Sequence, residues 1–358
     1  MRAVALLLLS FAQRAHCAAS WPPPATHPAP LIGILAQPPP PGWAAPPADA
    51  PGACRPPDGA VGSYIAASYV KFVEAGGARS VPIRFDAPQA ELARLFRAVN
   101  ALLLPGGAAD VAALSQSAYA RAGAFLWAMA SDAAVVGDYF PVHGTCLGWE
   151  QMAVLAARNG SALTRDPPFA STDGAATLQW TPEAASSRLF GGEGAAALRA
   201  ALAEDPAAYE SHTAGVEPAA FAANPKLAAA VRVLSISRDA TGREYVSTAE
   251  GAGRMPLSAT QWHPEKALFE WNTRLAIPRG GAAAAAAAHL AAYIGTEARR
   301  SRHMPRTGAE RDAMLAANWC PVFTGGSDSP WSRFDQVYFF PPWEPQAAEA
   351  RRVMDTWV

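Results

Sequence analysis

The chain has 358 residues, 51% of them hydrophobic, and a formal net charge of −1 at pH 7. This size and hydrophobic content allow one large core, and the balanced charge excludes the broad basic surface that attracts nucleic acid or an anionic membrane. The sequence contains no zinc-ligand spacing and no Walker pattern, so we expect no metal and no cofactor.

The N-terminal residues have the pattern of a secretory signal peptide. A charged start at 1–3 precedes an apolar run at 4–9, and small residues follow near 17–20. We therefore predict a signal peptide at 1–19 and a protein that is secreted or held in a lysosome- or vacuole-like organelle. No segment reaches the roughly 20 apolar residues of a membrane span, so no membrane partner is expected.

Prolines dominate the following stretch, where 14 of the 36 residues from 22 to 57 are proline. This composition favours loops and extended turns. We predict a proline-rich lead at 20–30 and a proline-rich loop at 38–60. The loop either rims a substrate entrance or is an insertion without function.

Hydrophobic runs and turn signals predict strands and helices that alternate along the chain. The strands are expected at 31–35, 81–85, 101–104, 232–237 and 244–248, and the helices at 64–75, 88–99, 147–157 and 282–294. This order predicts an α/β fold, a three-layer α/β/α sandwich with a mostly parallel central sheet. Catalytic groups of such folds gather at the carboxyl ends of the strands.

The most informative motif is a cysteine, Cys146, with a glycine two residues before it and another two residues after it. Gly144 and Gly148 allow a sharp turn from strand to helix that exposes the side chain between them. A helix beginning at Leu147 should lower the thiol pKa through its N-terminal dipole. We predict a nucleophile at Cys146, although this motif alone fits an inert buried turn equally well.

A second motif places a histidine and a glutamate after the apolar stretch 255–262. Pro264 stops a strand from continuing, and Glu265 can orient the imidazole of His263. Cys146, His263 and Glu265 together form the cysteine–histidine–acid arrangement of covalent catalysis. His263 alone would be more typical of a structural loop.

Acyl transfer also needs donors for the oxyanion of the tetrahedral intermediate. The predicted strand 101–104 ends in Pro105, Gly106 and Gly107, where the backbone can turn an amide into a site. We predict the amides of Gly107 and Leu147 as the two donors. On its own, this loop is an ordinary turn.

These motifs resemble those of the γ-glutamyl hydrolases, which belong to the class I glutamine-amidotransferase-like cysteine peptidases. The similar stretches keep the order of the family and lie at 31–35, 64–71, 104–107, 138–142, 143–150, 261–266 and 270–271. The resemblance implies a flavodoxin-like catalytic domain at 31–298. The extension at 299–358 is expected to pack on that domain or across a homodimer.

The resemblance implies hydrolysis of γ-glutamyl bonds through an acyl-enzyme, with folylpoly-γ-glutamate as the small-molecule substrate. It assigns the nucleophile, base and acid to the three residues above. The positions that match substrate-binding residues of the family are Tyr64, Glu150 and His212. A surface histidine in a loop is the alternative for His212.

Two other functions stay open at this stage. One is hydrolysis of other γ-glutamyl amides or peptides on the same fold, and the other is a catalytically silent secreted binding protein. An amidotransferase is disfavoured, because the sequence contains no synthetase domain.

The remaining cysteines and the lysines add two further expectations. If Cys17 leaves with the signal peptide and Cys146 stays free, Cys54 and Cys320 remain as one possible disulfide pair. Only three of the 29 basic residues are lysines, and Lys71 and Lys266 lie in the family-like stretches. Either could meet a substrate carboxylate, and a solvated surface lysine is the alternative. Residues 159–161 form a glycosylation sequon.

Overall fold

The computed structural model describes residues 21–43, 54, 56, 61–113, 116–326 and 329–344. The predicted signal peptide, most of the predicted proline-rich loop and the chain from 345 onward lie outside these residues.

The described residues form thirteen strands and ten α-helices. The strands are β1 Leu31–Ala36, β2 Ser63–Ala66, β3 Arg79–Arg84, β4 Ala101–Leu104, β5 Val142–Thr145, β6 Ser171–Ala176, β7 Gln179–Trp180, β8 Ala208–His212, β9 Val231–Arg238, β10 Glu244–Gly251, β11 Leu257–Thr260, β12 Val322–Phe323 and β13 Gln336–Phe340. The helices are α1 Ala67–Ala75, α2 Gln89–Ala98, α3 Ala118–Val135, α4 Leu147–Ala157, α5 Ala196–Glu204, α6 Pro218–Ala223, α7 Pro225–Ala230, α8 Lys266–Phe269, α9 Gly281–Ala298 and α10 Gly308–Met314.

Eight strands form a central sheet in the order β3-β1-β4-β5-β11-β10-β9-β7. The first five strands of this order are parallel to one another, and β10 is antiparallel to both β11 and β9. At the far edge, β7 is antiparallel to β9. The mostly parallel sheet predicted from the alternation of elements is therefore confirmed.

Helices cover both faces of the sheet. Along β1, Leu31 and Leu35 belong to the core on one face, where residues of α2, α3 and α4 pack. Ile32 and Ile34 belong to the core on the other face, together with residues of α1, α5 and α9. This alternation of apolar side chains, with two residues per repeat, produces the three layers that were expected.

The predicted helix at 64–75 is wrong at its start. The helix begins at Ala67, and Tyr64 lies in β2, which pairs antiparallel with β13 so that Phe339 lies opposite Tyr64. The hydrogen-bonding partner of β2 comes from the far end of the chain, so the local pattern carries no signal for this strand. No element had been predicted for α3, although the side chain of Ser117 caps its N-terminus.

Three candidate site segments follow neighbouring strands of the sheet, β4, β5 and β11. Leu104 at the end of β4 lies opposite Gly144, and Thr145 at the end of β5 lies opposite Thr260 at the end of β11. The loops that follow these three strands carry the predicted donors, nucleophile and base. These loops therefore lie next to one another at the carboxyl ends of the parallel strands.

None of the helices in the described part of the chain is both long enough and apolar enough to span a bilayer.

Candidate active site

Cys146 occupies a strained turn between β5 and α4. Its φ is 52° and its ψ is −110°, a conformation that residues other than glycine rarely adopt and that costs about 1–3 kcal/mol. Two backbone hydrogen bonds hold the turn. The Cys146 amide donates to the Thr260 carbonyl at 2.7 Å, and the Glu150 amide donates to the Cys146 carbonyl at 3.0 Å.

The flanking glycines have a different role from the one expected. A Cβ on Gly148 would lie 1.9 Å from the Leu104 carbonyl oxygen, and one on Gly144 would lie 2.5 Å from the sulfur of Met152. Neither glycine has a positive φ. The glycines therefore allow α4 to pack closely against β4 and β5, and the strained conformation falls on Cys146 itself.

His263 and Glu265 form a buried pair after β11. His263 Nδ1 lies 2.8 Å from Glu265 Oε1, and the Tyr69 hydroxyl lies 3.4 Å from the same nitrogen. The carboxylate thus favours the tautomer with its proton on Nδ1. Among the described residues, His263 Nε2 has no hydrogen-bond partner, which leaves it available for proton transfer.

Glu265 is suited to support a positive charge on this imidazole. Its burial alone would raise its pKa, but the charge and hydrogen bond of His263, together with the charge of Lys266, outweigh burial and hold the pKa below its usual value. Glu265 is therefore ionised over the whole neutral range.

The thiol departs from expectation. Burial raises the pKa of Cys146 well above its usual value, and the carboxylates of Glu150 and Glu210 raise it further. A hydrogen bond from the Leu147 backbone acts in the opposite direction but does not outweigh them. The helix N-terminus therefore does not lower the pKa of the thiol below its usual value, because desolvation dominates.

The two predicted oxyanion donors both line the cavity next to the cysteine. The Leu147 amide is hydrogen-bonded towards the Cys146 sulfur. The neighbouring Gly106 amide already donates to the Tyr69 hydroxyl at 2.7 Å. Within the described part of the chain, the Gly107 amide has no such partner, so it is the free donor of this loop.

Cys146 stands where two lobes of one cleft meet. The polar lobe, about 490 Å³, is lined by Asp110, Glu150, Leu163, Arg165, Thr172 and His212 among others. The aromatic lobe, about 300 Å³, is lined by Trp43, Tyr64, Tyr69, His263, Glu265, Lys266 and Phe334 among others. The residues common to both lobes are Gly107, Ala108, Cys146, Ser211 and Arg333.

The predicted substrate residues Glu150 and His212 are both buried and both line the polar lobe. Glu150 accepts a hydrogen bond from Gln261 Nε2 at 3.0 Å, and burial raises its pKa. His212 Nε2 lies 3.2 Å from Glu210 Oε2. Burial alone would lower the pKa of His212, but the nearby carboxylate of Glu210 outweighs it and raises the pKa. The alternative of an exposed loop histidine is therefore wrong.

Tyr64 lines the aromatic lobe as part of an aromatic cluster, and its ring centroid lies 4.9 Å from that of Trp331. Sequence reasoning missed Trp43, Arg333 and Phe334 as residues of the cleft. They come from the proline-rich loop and from the region beyond 299, which carry no local catalytic pattern.

A disulfide joins Cys54 and Cys320, the pair that the sequence had left open.

In the regions that the structure describes, no cluster of three or more His, Cys, Asp or Glu side chains could hold a metal ion.

A free cysteine on a strained strand-to-helix turn, with a histidine–glutamate pair after a neighbouring strand, is typical of enzymes with an α/β fold that use a cysteine nucleophile. The family model of peptidase C26 matches residues 53–265, and the chain belongs to this family.

Its relatives include γ-glutamyl hydrolases from animals and plants. The chain is 37% identical to the enzyme of Rattus norvegicus and 34% identical to that of Homo sapiens, in each case over 77% of this chain and 83% of the relative. It is 32% identical to γ-glutamyl hydrolase 1 of Arabidopsis thaliana, over 90% of this chain and 85% of the relative.

Proposed function

We propose that this chain hydrolyses γ-glutamyl bonds in folylpoly-γ-glutamates, with Cys146 as nucleophile, His263 as base and Glu265 as the acid that orients His263. The observation that carries the proposal is the shared cleft, in which a free cysteine at a strained turn meets a histidine whose Nε2 is unpaired among the described residues. The γ-glutamyl hydrolases among its relatives support the bond type.

Catalysis begins with a protonated thiol, because burial and nearby carboxylates raise its pKa. His263 Nε2 takes the thiol proton as the sulfur of Cys146 attacks the γ-carbonyl carbon. Glu265 stabilises the imidazolium that forms. The amides of Gly107 and Leu147 donate to the oxyanion of the tetrahedral intermediate.

The intermediate collapses when His263 gives its proton to the leaving nitrogen, and the γ-acyl group stays on the sulfur. A water molecule, deprotonated by the same Nε2, then attacks the thioester. A second tetrahedral intermediate releases the carboxylic acid and restores the thiol.

We assign recognition of the γ-glutamyl part to the polar lobe. Glu150 accepts a hydrogen bond from the amide N–H of the γ-glutamyl residue on the acyl side. The positive charge of His212, whose Nδ1 and Nε2 face the Ala214 carbonyl and Glu210, attracts the α-carboxylate of that residue. Tyr64 lines the aromatic lobe and contacts the part of the substrate beyond the scissile bond.

We also propose that the protein works in an exocytic compartment, secreted or in a lysosome or vacuole. The Cys54–Cys320 disulfide supports this location, because such bonds persist in oxidising compartments. The division into a catalytic domain at 31–298 and an extension, and assembly as a homodimer, stay predictions.

Hydrolysis of other γ-glutamyl amides is the second candidate. It is favoured by the polar lobe, whose charged groups address the γ-glutamyl part that all such substrates share. The first candidate requires a leaving group that is glutamate or a γ-linked oligoglutamate, whereas the second accepts other amines.

Mass spectrometry of the products tests the proposal. Purified protein is incubated with a pteroyl-polyglutamate, a γ-glutamyl peptide and glutamine in parallel, with Cys146→Ala as the control. We expect shortened folate chains and free glutamate or γ-linked oligoglutamates, and none of these with the control. Turnover of the simpler amides alone would favour the second candidate.

A further inference from the structure

The aromatic lobe contains a buried cation that forms no ion pair with any of the described residues. Lys266 is 6% exposed, and its Nζ lies 4.9 Å from the centroid of the Phe334 ring. Across the described residues, no carboxylate oxygen lies within 4.0 Å of this nitrogen, and no hydrogen-bond acceptor is paired with it. The ammonium contacts the rings of Phe334 and Tyr209 but has no counter-charge at ion-pair distance among the described residues, so it can attract an anion.

The nearby carboxylates are committed elsewhere. Lys266 lowers the pKa of Glu265 and opposes the rise in that of Glu270, so its charge reaches both. Glu265 is paired with His263 at 2.8 Å, and Glu270 accepts a hydrogen bond from the Asp335 amide at 2.5 Å. The second oxygen of each carboxylate has no hydrogen-bond partner among the described residues, but it does not come within 4.0 Å of the ammonium nitrogen.

Arg333 supplies a second cation at the boundary of the two lobes. Its Nη2 donates to the Ser211 hydroxyl at 3.3 Å, and no ion pair joins it to any residue that the structure describes. Arg333 is exposed, so water screens its charge more than that of Lys266. The guanidinium can reach a ligand in the aromatic lobe without breaking an ion pair.

Proton transfer decides which part of the substrate enters the aromatic lobe. His263 must give its proton to the leaving nitrogen, so this nitrogen must lie on the side of Cys146 that His263 faces. His263 and Glu265 line the aromatic lobe and are absent from the lining of the polar lobe. The leaving group therefore occupies the aromatic lobe and the acyl group the polar lobe.

Resting on the function proposed above, we propose that Lys266 and Arg333 bind the α-carboxylate of the glutamate released by the reaction. In a γ-linked chain this carboxylate sits on the carbon next to the scissile nitrogen, so a cation near His263 meets it directly. Trp43, Tyr64 and Phe334 wall the lobe with aromatic surface, which strengthens the charge interaction by excluding water. Lys266 and Arg333 thus select γ-glutamyl bonds in which the leaving amine has a carboxylate on the carbon next to its nitrogen.

The test compares two leaving groups on the same protein. The probes are γ-glutamyl-glutamate and the same dipeptide with the α-carboxylate next to the scissile nitrogen converted to an amide. We expect the wild type to prefer the acid by about 10- to 100-fold in kcat/KM, the effect of one charge-assisted contact. Lys266→Met should reduce this preference to about 3-fold or less, and Arg333→Gln should reduce it by a smaller factor.

The matched control is Lys226→Met, which removes an exposed lysine that lines neither lobe. It should keep the wild-type preference. Because the leaving group departs before water attacks, Lys266→Met should slow acylation and leave the rate of deacylation unchanged.

Each outcome decides the proposal. A preference that survives Lys266→Met overturns the subsite, and so does an equal loss for both dipeptides, which would indicate a structural role. If the wild type cleaves neither dipeptide, the proposed function fails instead. Calorimetry on Cys146→Ala then still tests the subsite, since tighter binding of the acid must disappear on adding Lys266→Met.

Discussion

At the scale of single residues, Cys146 combines a strained backbone turn with a buried side chain, and burial raises the pKa of its thiol. Formation of the thiolate therefore depends on proton transfer to His263. Glu265 matters because it determines how readily the imidazole accepts the proton.

Replacing Glu265 with glutamine tests that dependence. The amide cannot stabilise an imidazolium and can favour the wrong tautomer, so kcat should fall about 100-fold while KM changes by less than about 3-fold. Steady-state kinetics measures both constants. Glu244→Gln, which removes an exposed carboxylate paired with Arg238, is the control and should leave them unchanged. A kcat within about 3-fold of wild type for Glu265→Gln would contradict the assigned role.

His212 should make stability depend on pH in a defined direction. Its folded pKa is raised above 6.5 by Glu210, so the pair contributes its full stability below about pH 6.5 and loses it as pH rises through the folded pKa. The loss of Tm in His212→Asn should thus be largest at acid pH and shrink towards alkaline pH. Thermal unfolding across this range measures it, and a loss that grows with pH would refute the pairing.

At the scale of elements, the strained turn at Cys146 depends on how closely α4 approaches β4. The Gly148→Ala substitution would place a Cβ 1.9 Å from the Leu104 carbonyl, which only backbone movement can relieve. We expect a loss of about 2–4 kcal/mol in the free energy of unfolding, together with reduced activity. Gly174→Ala is the control, because its Cβ meets nothing within 4 Å. Urea unfolding gives both values, and equal losses would contradict the packing argument.

The elements that sequence predicted well are those with local signals. The strand at 101–104 and the helix at 147–157 match the structure, because an apolar run and a glycine-flanked turn are readable within a few residues. The strand β2 was mistaken for helix because its partner β13 lies far along the chain.

The same distinction separates the parts of the site. Cys146 and His263 stand in motifs that carry their own chemistry. Arg333 and Phe334 reach the cleft only through tertiary packing of the C-terminal region, and the raised thiol pKa depends on burial among carboxylates. Neither burial nor a distant neighbour is encoded in local spacing.

At the scale of the whole molecule, the C-terminal region builds one wall of the cleft. Strand β13 pairs with β2, and Trp331 packs against both Tyr64 and Trp43. The disulfide ties Cys320 of this region to Cys54 across 266 positions of sequence. The wall that holds Arg333 is therefore fastened to the main domain at several points.

Removing the disulfide should destabilise the protein. Closing so long a loop restricts the unfolded chain, so the double variant Cys54→Ser, Cys320→Ser should lose about 2–5 kcal/mol of unfolding free energy. Guanidinium unfolding measures the difference. Wild type with a reductant is the matched comparison and should approach the variant, whereas identical stability of the oxidised wild type and the variant would contradict a structural role.

The central claim is an acyl-enzyme on Cys146, and its most direct test is intact-protein mass spectrometry after rapid mixing with γ-glutamyl-glutamate and acid quenching. The account predicts a transient mass gain of one γ-glutamyl group, located by peptide mapping on Cys146 and missing in Cys146→Ala. Product formation by Cys146→Ala, or an adduct on another residue, would contradict it.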